Sequence, residues 1–158
     1  TVEARKQLDE TYSPVRGTFN AFELIYQWAT PRDLLTRRAV YLDKELYLYP
    51  LQLTQKETED YLKALLHRTQ AIEHHARFYN TLSSNCTNEL AKTAELGWHP
   101  SFILTGGSDE ALYRMGRILG QGDFEVIRQN ARIDDRVRLI AQEDVITFNS
   151  SLIAGVGR

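Results

Sequence analysis

The chain has 158 residues, of which 42% are hydrophobic and 25% charged, a composition typical of a globular protein with a sizeable core. Its 19 basic and 21 acidic residues give a net charge of −2, so no basic excess indicates nucleic-acid binding. A single cysteine, Cys86, excludes an internal disulfide, and no apolar run is long enough to cross a bilayer. We predict one domain over residues 1–158, with no metal site and no cofactor.

Strand signals dominate residues 1–53. The segment "TVEARKQ" alternates in the manner of a short strand, and "AFELIYQWA" is rich enough in aromatic and β-branched residues to predict a largely buried one. The segment "KELYLYPLQL" also predicts a strand, with Pro50 at an edge or an end. Between them, "YSPVRGTFN" predicts a turn or loop, and "DLLTRRAVYL" fits either a strand or a short helix.

Helical signals begin at Thr54 and dominate residues 54–142. Thr54 and Glu57 have the spacing of a capping box, followed by apolar residues at helical intervals. Further helices are expected after Asn85, after Ser108 or Asp109 and after Asp123, and the tail "SSLIAGVGR" is expected to be frayed. The predicted helices span about 55–77, 86–96 and 109–119, one more opens at Asp123, and another covers "ARIDDRVRLIAQ". Strands followed by helices predict an α+β fold with a short antiparallel sheet.

Cys86 is the one side chain whose position points to covalent chemistry. Asn85 is a good N-cap, which places the thiol in the first helical turn beside unpaired N–H groups that favour a thiolate. Those donors, with Asn88 nearby, would also suit an oxyanion. Glu89 opposes a thiolate because it adds negative charge to the same turn. A small buried core thiol is the alternative reading of Cys86.

A nucleophilic cysteine needs a base, and histidine is the usual one. Three histidines fall on the predicted 55–77 helix and one in the loop after the predicted 86–96 helix, and each is predicted to be structural rather than catalytic. None has the spacing of a metal ligand set. The four are His67, His74, His75 and His99.

The strings "VEARK", "YSPVRGTF", "FELIY" and "YNTLSSNCTN", in this order, resemble a bacterial family. It is the periplasmic domain named after the lipoprotein N-acyltransferase Lnb. The resemblance covers most of the chain and is densest from Thr1 to Leu90. It implies a circularly permuted papain-like fold, similar to NlpC-like peptidases, with Asn85-Cys86 matching the nucleophile motif.

The same resemblance places the catalytic histidine on a strand upstream of "TVEARK". The chain is therefore expected to be a fragment, incomplete at its N-terminus, of a membrane-anchored envelope protein. Glu3 and Arg5 match the family's E-x-R strand and are expected either to orient groups near the site or to form a surface ion pair.

The resemblance implies a cell-envelope cysteine acyltransferase or hydrolase acting on lipid or lipoprotein acyl groups, facing the periplasm. Membrane association is expected through segments outside residues 1–158. A cell-wall peptide amidase or peptidase, and a non-catalytic envelope-binding domain, are the alternatives. A hydrophobic cleft beside Cys86 favours a lipid substrate, whereas a charged open groove favours a peptide.

Overall fold

The computed structural model describes residues 1–97, 99–103 and 105–154. The fold is α+β, as predicted, and the described residues form eight α-helices and one three-stranded antiparallel sheet. Two compact units divide the chain: Thr1–Trp28 with Leu53–Ala111, and Ala29–Gln52 with Leu112–Arg158. The α-helices are α1 (Pro14–Thr18), α2 (Pro31–Thr36), α3 (Gln55–His74), α4 (Cys86–Thr93), α5 (Ser108–Arg114), α6 (Phe124–Ala131), α7 (Asp134–Ile140) and α8 (Val145–Ile153).

The sheet of the first unit contains β1 (Val2–Arg5), β2 (Phe22–Tyr26) and β3 (Phe78–Tyr79) in the order β1-β2-β3. Both predicted N-terminal strands are confirmed. Val2 lies opposite Tyr26 and Phe22 lies opposite Tyr79, so these side chains share one face of the sheet. That face carries the core.

The second strand is half-buried rather than largely buried, which corrects the expectation for "AFELIYQWA". Phe22 and Leu24 are buried, but Glu23 between them is exposed. The opposite face of the sheet accounts for this, because Phe78 is 60% exposed there and Glu23 pairs across the strands with Arg5. Only one face of the sheet is covered by core side chains.

Helices α3 and α4 pack on the covered face, α3 against β2 and α4 against β1. The buried residues Val2, Phe22, Leu24 and Tyr79 form the centre of this core, and Ile72 of α3 and Cys86 and Leu90 of α4 contact them. Burial of these apolar side chains, worth about 1.5 to 3 kcal/mol each, holds the start of α4 against the sheet.

The predicted capping box at the start of α3 is confirmed. The N–H of Thr54 donates to Glu57 Oε2 at 2.8 Å, and the N–H of Glu57 donates to Thr54 Oγ1 at 3.2 Å. Each side chain satisfies a backbone donor that the first helical turn leaves unpaired.

The "YSPVRGTFN" segment is not a loop but contains α1, which corrects the prediction. The Oγ of Ser13 accepts from the N–H of Arg16, and Pro14 occupies the first helical position, where its missing N–H costs nothing. The turn signals Ser-Pro and Gly thus belong to a five-residue helix. Gly17 is its buried residue.

Gly17 lies against the loop after β3. A Cβ at this position would meet Thr81 Oγ1 and would lie 3.2 Å from the hydroxyl of Tyr12. These two hydroxyls are 3.0 Å apart, and Thr81 Oγ1 also donates to the carbonyl of Pro14 at 2.8 Å. Because Gly17 has no side chain, the loop that contains Thr81 can pack closely against α1.

We expect Gly17→Ala to lower the free energy of unfolding by about 1 to 3 kcal/mol, because the new methyl group displaces Thr81 and its hydrogen bonds. Chemical denaturation followed by circular dichroism measures the change. Gly97→Ala is the control, since a Cβ there meets no atom within 4 Å. Equal stability of the two variants would contradict the close approach at Gly17.

The second unit is built from α2, α6, α7 and α8. The "DLLTRRAVYL" segment, open between strand and helix in the sequence, is helical: α2 ends at Thr36 and continues as a π-helical turn over Arg37–Tyr41. The core of this unit contains the buried residues Ala39, Ile133, Val137, Phe148 and Leu152.

The segment "KELYLYPLQL" is not a strand, and that prediction is wrong. Its backbone hydrogen bonds go to scattered residues rather than to one neighbouring strand. The N–H of Leu48 donates to the carbonyl of Ala131 at 2.8 Å, and the carbonyl of Pro50 accepts from the N–H of Leu119 at 2.9 Å. Tyr47 and Leu51 therefore form isolated bridges instead of a ladder. Pro50 has no N–H, which prevents a continuous ladder through this segment.

Three helices end earlier than predicted. α3 stops at His74 because residues 78–79 pair with β2 as a third strand. α4 stops at Thr93, since Glu95 takes a left-handed conformation with φ of 54°. α5 stops at Arg114, and Gly116, with φ of 66°, turns the chain toward the bridge between Ile118 and Leu51.

The helix signals at Asp123 and in "ARIDDRVRLIAQ" are confirmed as α6 and α7. The tail prediction is partly wrong, because Ser151–Ile153 lie in α8, which Asp144 caps; residues 155–158 lie outside the described residues. Among the described residues, no helix combines the length and apolar character that crossing a membrane requires.

Candidate functional site

Cys86 is the first residue of α4, as the sequence predicted. Asn85 is the N-cap, and its Oδ1 accepts the N–H of Asn88 at 2.8 Å. Asn88 returns the bond, since its Oδ1 accepts the N–H of Asn85 at 3.0 Å. The predicted pair Asn85 and Asn88 is thus brought together with Cys86, as a reciprocal cap on the helix that carries the thiol.

Both asparagines are buried, and in each both side-chain polar atoms form hydrogen bonds. The Nδ2 of Asn85 donates to the carbonyls of Thr81 and Phe102 at 2.9 and 3.0 Å, which ties the helix start to two separate loops. The Nδ2 of Asn88 donates to Leu82 at 3.3 Å. In this arrangement the Oδ1 of Asn88 holds the start of the helix that carries Cys86, and its Nδ2 is directed to Leu82.

The Cys86 side chain is half-buried, between the core and the surface. Its Sγ lies 3.8 Å from Thr87 Oγ1. The thiol is therefore neither sealed in the core nor exposed on a loop. Partial exposure of this kind is typical of reactive cysteines, whereas structural cysteines are usually buried.

Tyr79 is a neighbour of Cys86 that the sequence did not identify. Burial, then the proximity of Cys86 and a hydrogen bond with Tyr12, raise the pKa of Tyr79. Its hydroxyl therefore remains protonated beside the thiol, and its ring packs edge-on against the Tyr12 ring at 5.8 Å. The sequence does not predict this contact, because Tyr79 precedes Cys86 by seven residues and is brought near it only by the pairing of β3 with β2.

Glu89 lies one turn after Cys86, and its side chain is completely buried. Its Oε1 accepts from Ser84 Oγ at 2.8 Å and from Lys92 Nζ at 3.1 Å. Arg77 bonds both carboxylate oxygens at 3.3 Å, and Arg68 lies 3.7 Å from Oε2. The negative charge expected to oppose a Cys86 thiolate is therefore compensated by three cations.

This compensation sets the protonation of Glu89. Burial alone raises the pKa of Glu89, but the hydrogen bonds from Ser84 and Lys92 and the charge of Arg77 outweigh it, so the pKa lies below its ordinary value. Glu89 is consequently ionised at neutral pH. The three cations form a cluster around it, here called the Glu89 cluster: Arg68, Arg77, Lys92 and Glu89.

Glu3 and Arg5 are not brought to Cys86. Their neighbours Val2 and Ala4 point into the core that Cys86 contacts, so Glu3 and Arg5 lie on the opposite face of β1. Arg5 forms an exposed ion pair with Glu23 at 3.0 Å, the surface-pair alternative for this residue.

The histidines lie apart from the thiol, and within the described residues no histidine hydrogen-bonds to Cys86. His67 and His74 are exposed on α3, and His75 follows its end. His99 is half-buried, and its Nδ1 accepts the N–H of Ser101 at 3.2 Å. The described residues also contain no group of three His, Cys, Asp or Glu side chains that could hold a metal ion.

A pocket of about 230 Å³ lies along α4. Its wall is mostly apolar, and Asn88, Ala91 and Lys92 of α4 line it, whereas Cys86 does not. His99 also contributes to the wall. At about 100° per residue, its α4 positions lie roughly on the opposite side of the helix from Cys86.

These features define a class: an α+β domain with a half-buried cysteine at the capped start of a helix that packs on a small antiparallel sheet. The family model for the Lnb N-terminal periplasmic domain matches residues 1–121, and the chain belongs to this family. The predicted family is confirmed, and with it the periplasmic assignment of the domain. No curated protein and no solved structure matches the chain.

Proposed function

We propose that the domain is the thiol-bearing part of a cell-envelope acyltransferase, in which Cys86 is the nucleophile. The observation that carries the proposal is the position of Cys86, the only cysteine of the chain, at the capped start of α4 in a member of the Lnb family. A circularly permuted papain-like arrangement and a membrane-anchored parent protein belong to the same proposal.

The reaction that suits this position is acyl transfer in two steps. The Cys86 thiolate attacks the carbonyl carbon of a lipid or lipoprotein ester, the alcohol leaves with a proton, and a thioester forms on Sγ. An amine then attacks the thioester, loses a proton and leaves as an amide, which regenerates the thiol. The proton acceptor is the histidine that the resemblance places on a strand before Thr1.

The pocket along α4, which Cys86 does not line, suits an acyl chain better than a peptide. Leu82, Leu96, Phe102 and Ile103 supply apolar walls, which suit a hydrocarbon chain. A cell-wall peptide would need a polar, open groove to satisfy its amide groups. The side chain of Lys92 at the same pocket would lie toward a polar head rather than a chain.

The test uses the natural full-length protein and a diacylglycerol-containing lipid with a labelled acyl chain. We expect a covalent adduct that hydroxylamine removes, and Cys86→Ala should abolish both the adduct and transfer to an amine, by about a thousandfold or more. Thr11→Ala, at an exposed loop position, is the control and should retain both.

An adduct that persists in Cys86→Ala would overturn the assignment of the nucleophile. Labelling from a cell-wall peptide but not from the lipid would replace the acyltransferase with an amidase. If neither substrate labels the protein while the domain still binds one of them, the domain is a binding module.

A further inference from the structure

The Glu89 cluster carries a net positive charge. Three cations converge on one carboxylate, which leaves two positive charges in excess. Within the described chain, Arg68, Arg77 and Lys92 have no ion pair with any other carboxylate. The excess is fixed in place, because each cation is anchored to the same buried group.

The cations also remain open to solvent on their outer side. Glu89 has no exposed side-chain surface, whereas Arg68, Arg77 and Lys92 retain 33%, 47% and 47% of theirs. A purely structural ion pair requires one cation for one carboxylate, and Arg77 alone already bonds both oxygens of Glu89. Arg68 lies 3.7 Å from Glu89 Oε2 and also hydrogen-bonds the side chain of Tyr26, and the rest of its five donors can serve a further ligand.

We propose that the outer side of the Glu89 cluster is a binding site for a phosphate group. A guanidinium fork matches the oxygens of a phosphate, and a phosphate group carries about one to two negative charges at neutral pH, which the positive excess of the cluster can compensate. Glu89 orients the cations before the ligand arrives. Little side-chain entropy is then lost on binding, which favours affinity.

The site lies next to the thiol. Cys86 and Glu89 are three residues apart on α4, so their side chains share one side of the helix about 5 to 6 Å apart. If the proposed function holds, a phosphate bound there belongs to the substrate and anchors it with an acyl carbonyl near Sγ. Phosphate binding itself does not depend on that function.

The experiment measures the binding of inorganic phosphate by two-dimensional NMR at constant ionic strength, with chloride as the compensating anion. We expect phosphate-specific shifts at Arg68, Arg77 and Lys92, and Arg68→Gln should weaken binding about tenfold. Arg5→Gln is the matched control, since Arg5 pairs with Glu23 on the other face of the sheet. Lys92→Gln is the second variant if Arg68→Gln does not fold.

Equal shifts with phosphate and chloride, or equal affinity in Arg68→Gln and Arg5→Gln, would overturn the proposal. Cys86→Ala separates the two hypotheses: it should bind phosphate as the unmodified chain does, even where acyl transfer fails. Phosphatidylglycerol and phosphatidylcholine vesicles then identify the source. Binding to phosphatidylglycerol that Arg68→Gln weakens indicates a lipid headgroup, and binding of inorganic phosphate alone indicates a soluble ligand.

Discussion

Replacing Glu89 with glutamine is expected to lower the free energy of unfolding by about 3 to 5 kcal/mol, the largest effect of a polar substitution in the first unit. Glutamine keeps the shape of the side chain and one acceptor oxygen, but it removes the buried charge. Arg77 then loses a bidentate partner, and three cations repel one another around a neutral group.

Urea denaturation at neutral pH measures the change, and residue-resolved hydrogen exchange assigns it to α3, α4 and β3. The matched control is Glu23→Gln, which removes a half-exposed partner of Arg5 and should change stability little. If Glu89→Gln were as stable as Glu23→Gln, the ion pairs of Glu89 with Arg68, Arg77 and Lys92 would not contribute to the free energy of unfolding.

Acid should remove the same contribution. The pKa of Glu89 in the folded state lies below its ordinary value, so its stabilisation is complete above about pH 4.3 and disappears as the pH falls through the folded-state value. The difference between the unmodified chain and Glu89→Gln should therefore shrink with decreasing pH in that range.

Features with local causes could be predicted from the sequence. The capping box of Thr54 and Glu57, the N-cap at Asn85 and the alternation in "VEAR" involve residues within four positions of one another. Their hydrogen bonds and facing directions follow from backbone geometry alone. Cys86 at a helix start was predictable for the same reason.

Features that depend on contacts between residues far apart in the sequence could not be predicted from it. Spacing predicts a helix to about residue 77, but residues 78–79 pair with Phe22 and Glu23 across more than 50 positions as a strand, and the helix ends at His74. The segment around Pro50 has the composition of a strand, yet the residues it meets are the ends of α6 and the turn after α5. Tertiary partners override local preference in both places.

The site divides in the same way. Sequence reasoning identified Cys86, Asn85 and Asn88, which belong to one turn, and it recognised that Glu89 bears on the charge of that turn. It missed Arg68 and Arg77, because their contact with Glu89 depends on how α3 lies against α4. Only Lys92, at i+3 from Glu89, had a signal in the helical spacing.

In the second unit, we expect Asp134→Asn to lower the free energy of unfolding by about 3 to 5 kcal/mol. Asp134 is completely buried; Arg132 bonds both of its oxygens, at 2.8 and 3.2 Å, and Arg138 bonds Oδ2 at 2.9 Å. The N–H of Leu46 donates to Oδ1 at 3.5 Å. The carboxylate therefore joins α7 to the segment "KELYLYPLQL", whose composition predicts a strand.

The pH dependence gives this prediction its sharpest test. The hydrogen bond from Arg132 lowers the pKa of Asp134, burial opposes it, and the bond from Arg138 adds to the lowering. Stability from Asp134 is therefore complete above about pH 4 and is lost only as the pH falls through the lower folded-state value. Asp135→Asn, the exposed neighbour that also pairs with Arg138, should leave this acid-dependent loss in place. Asp134→Asn should abolish it, and an unchanged acid profile in that variant would mean that the buried carboxylate does not hold the second unit together.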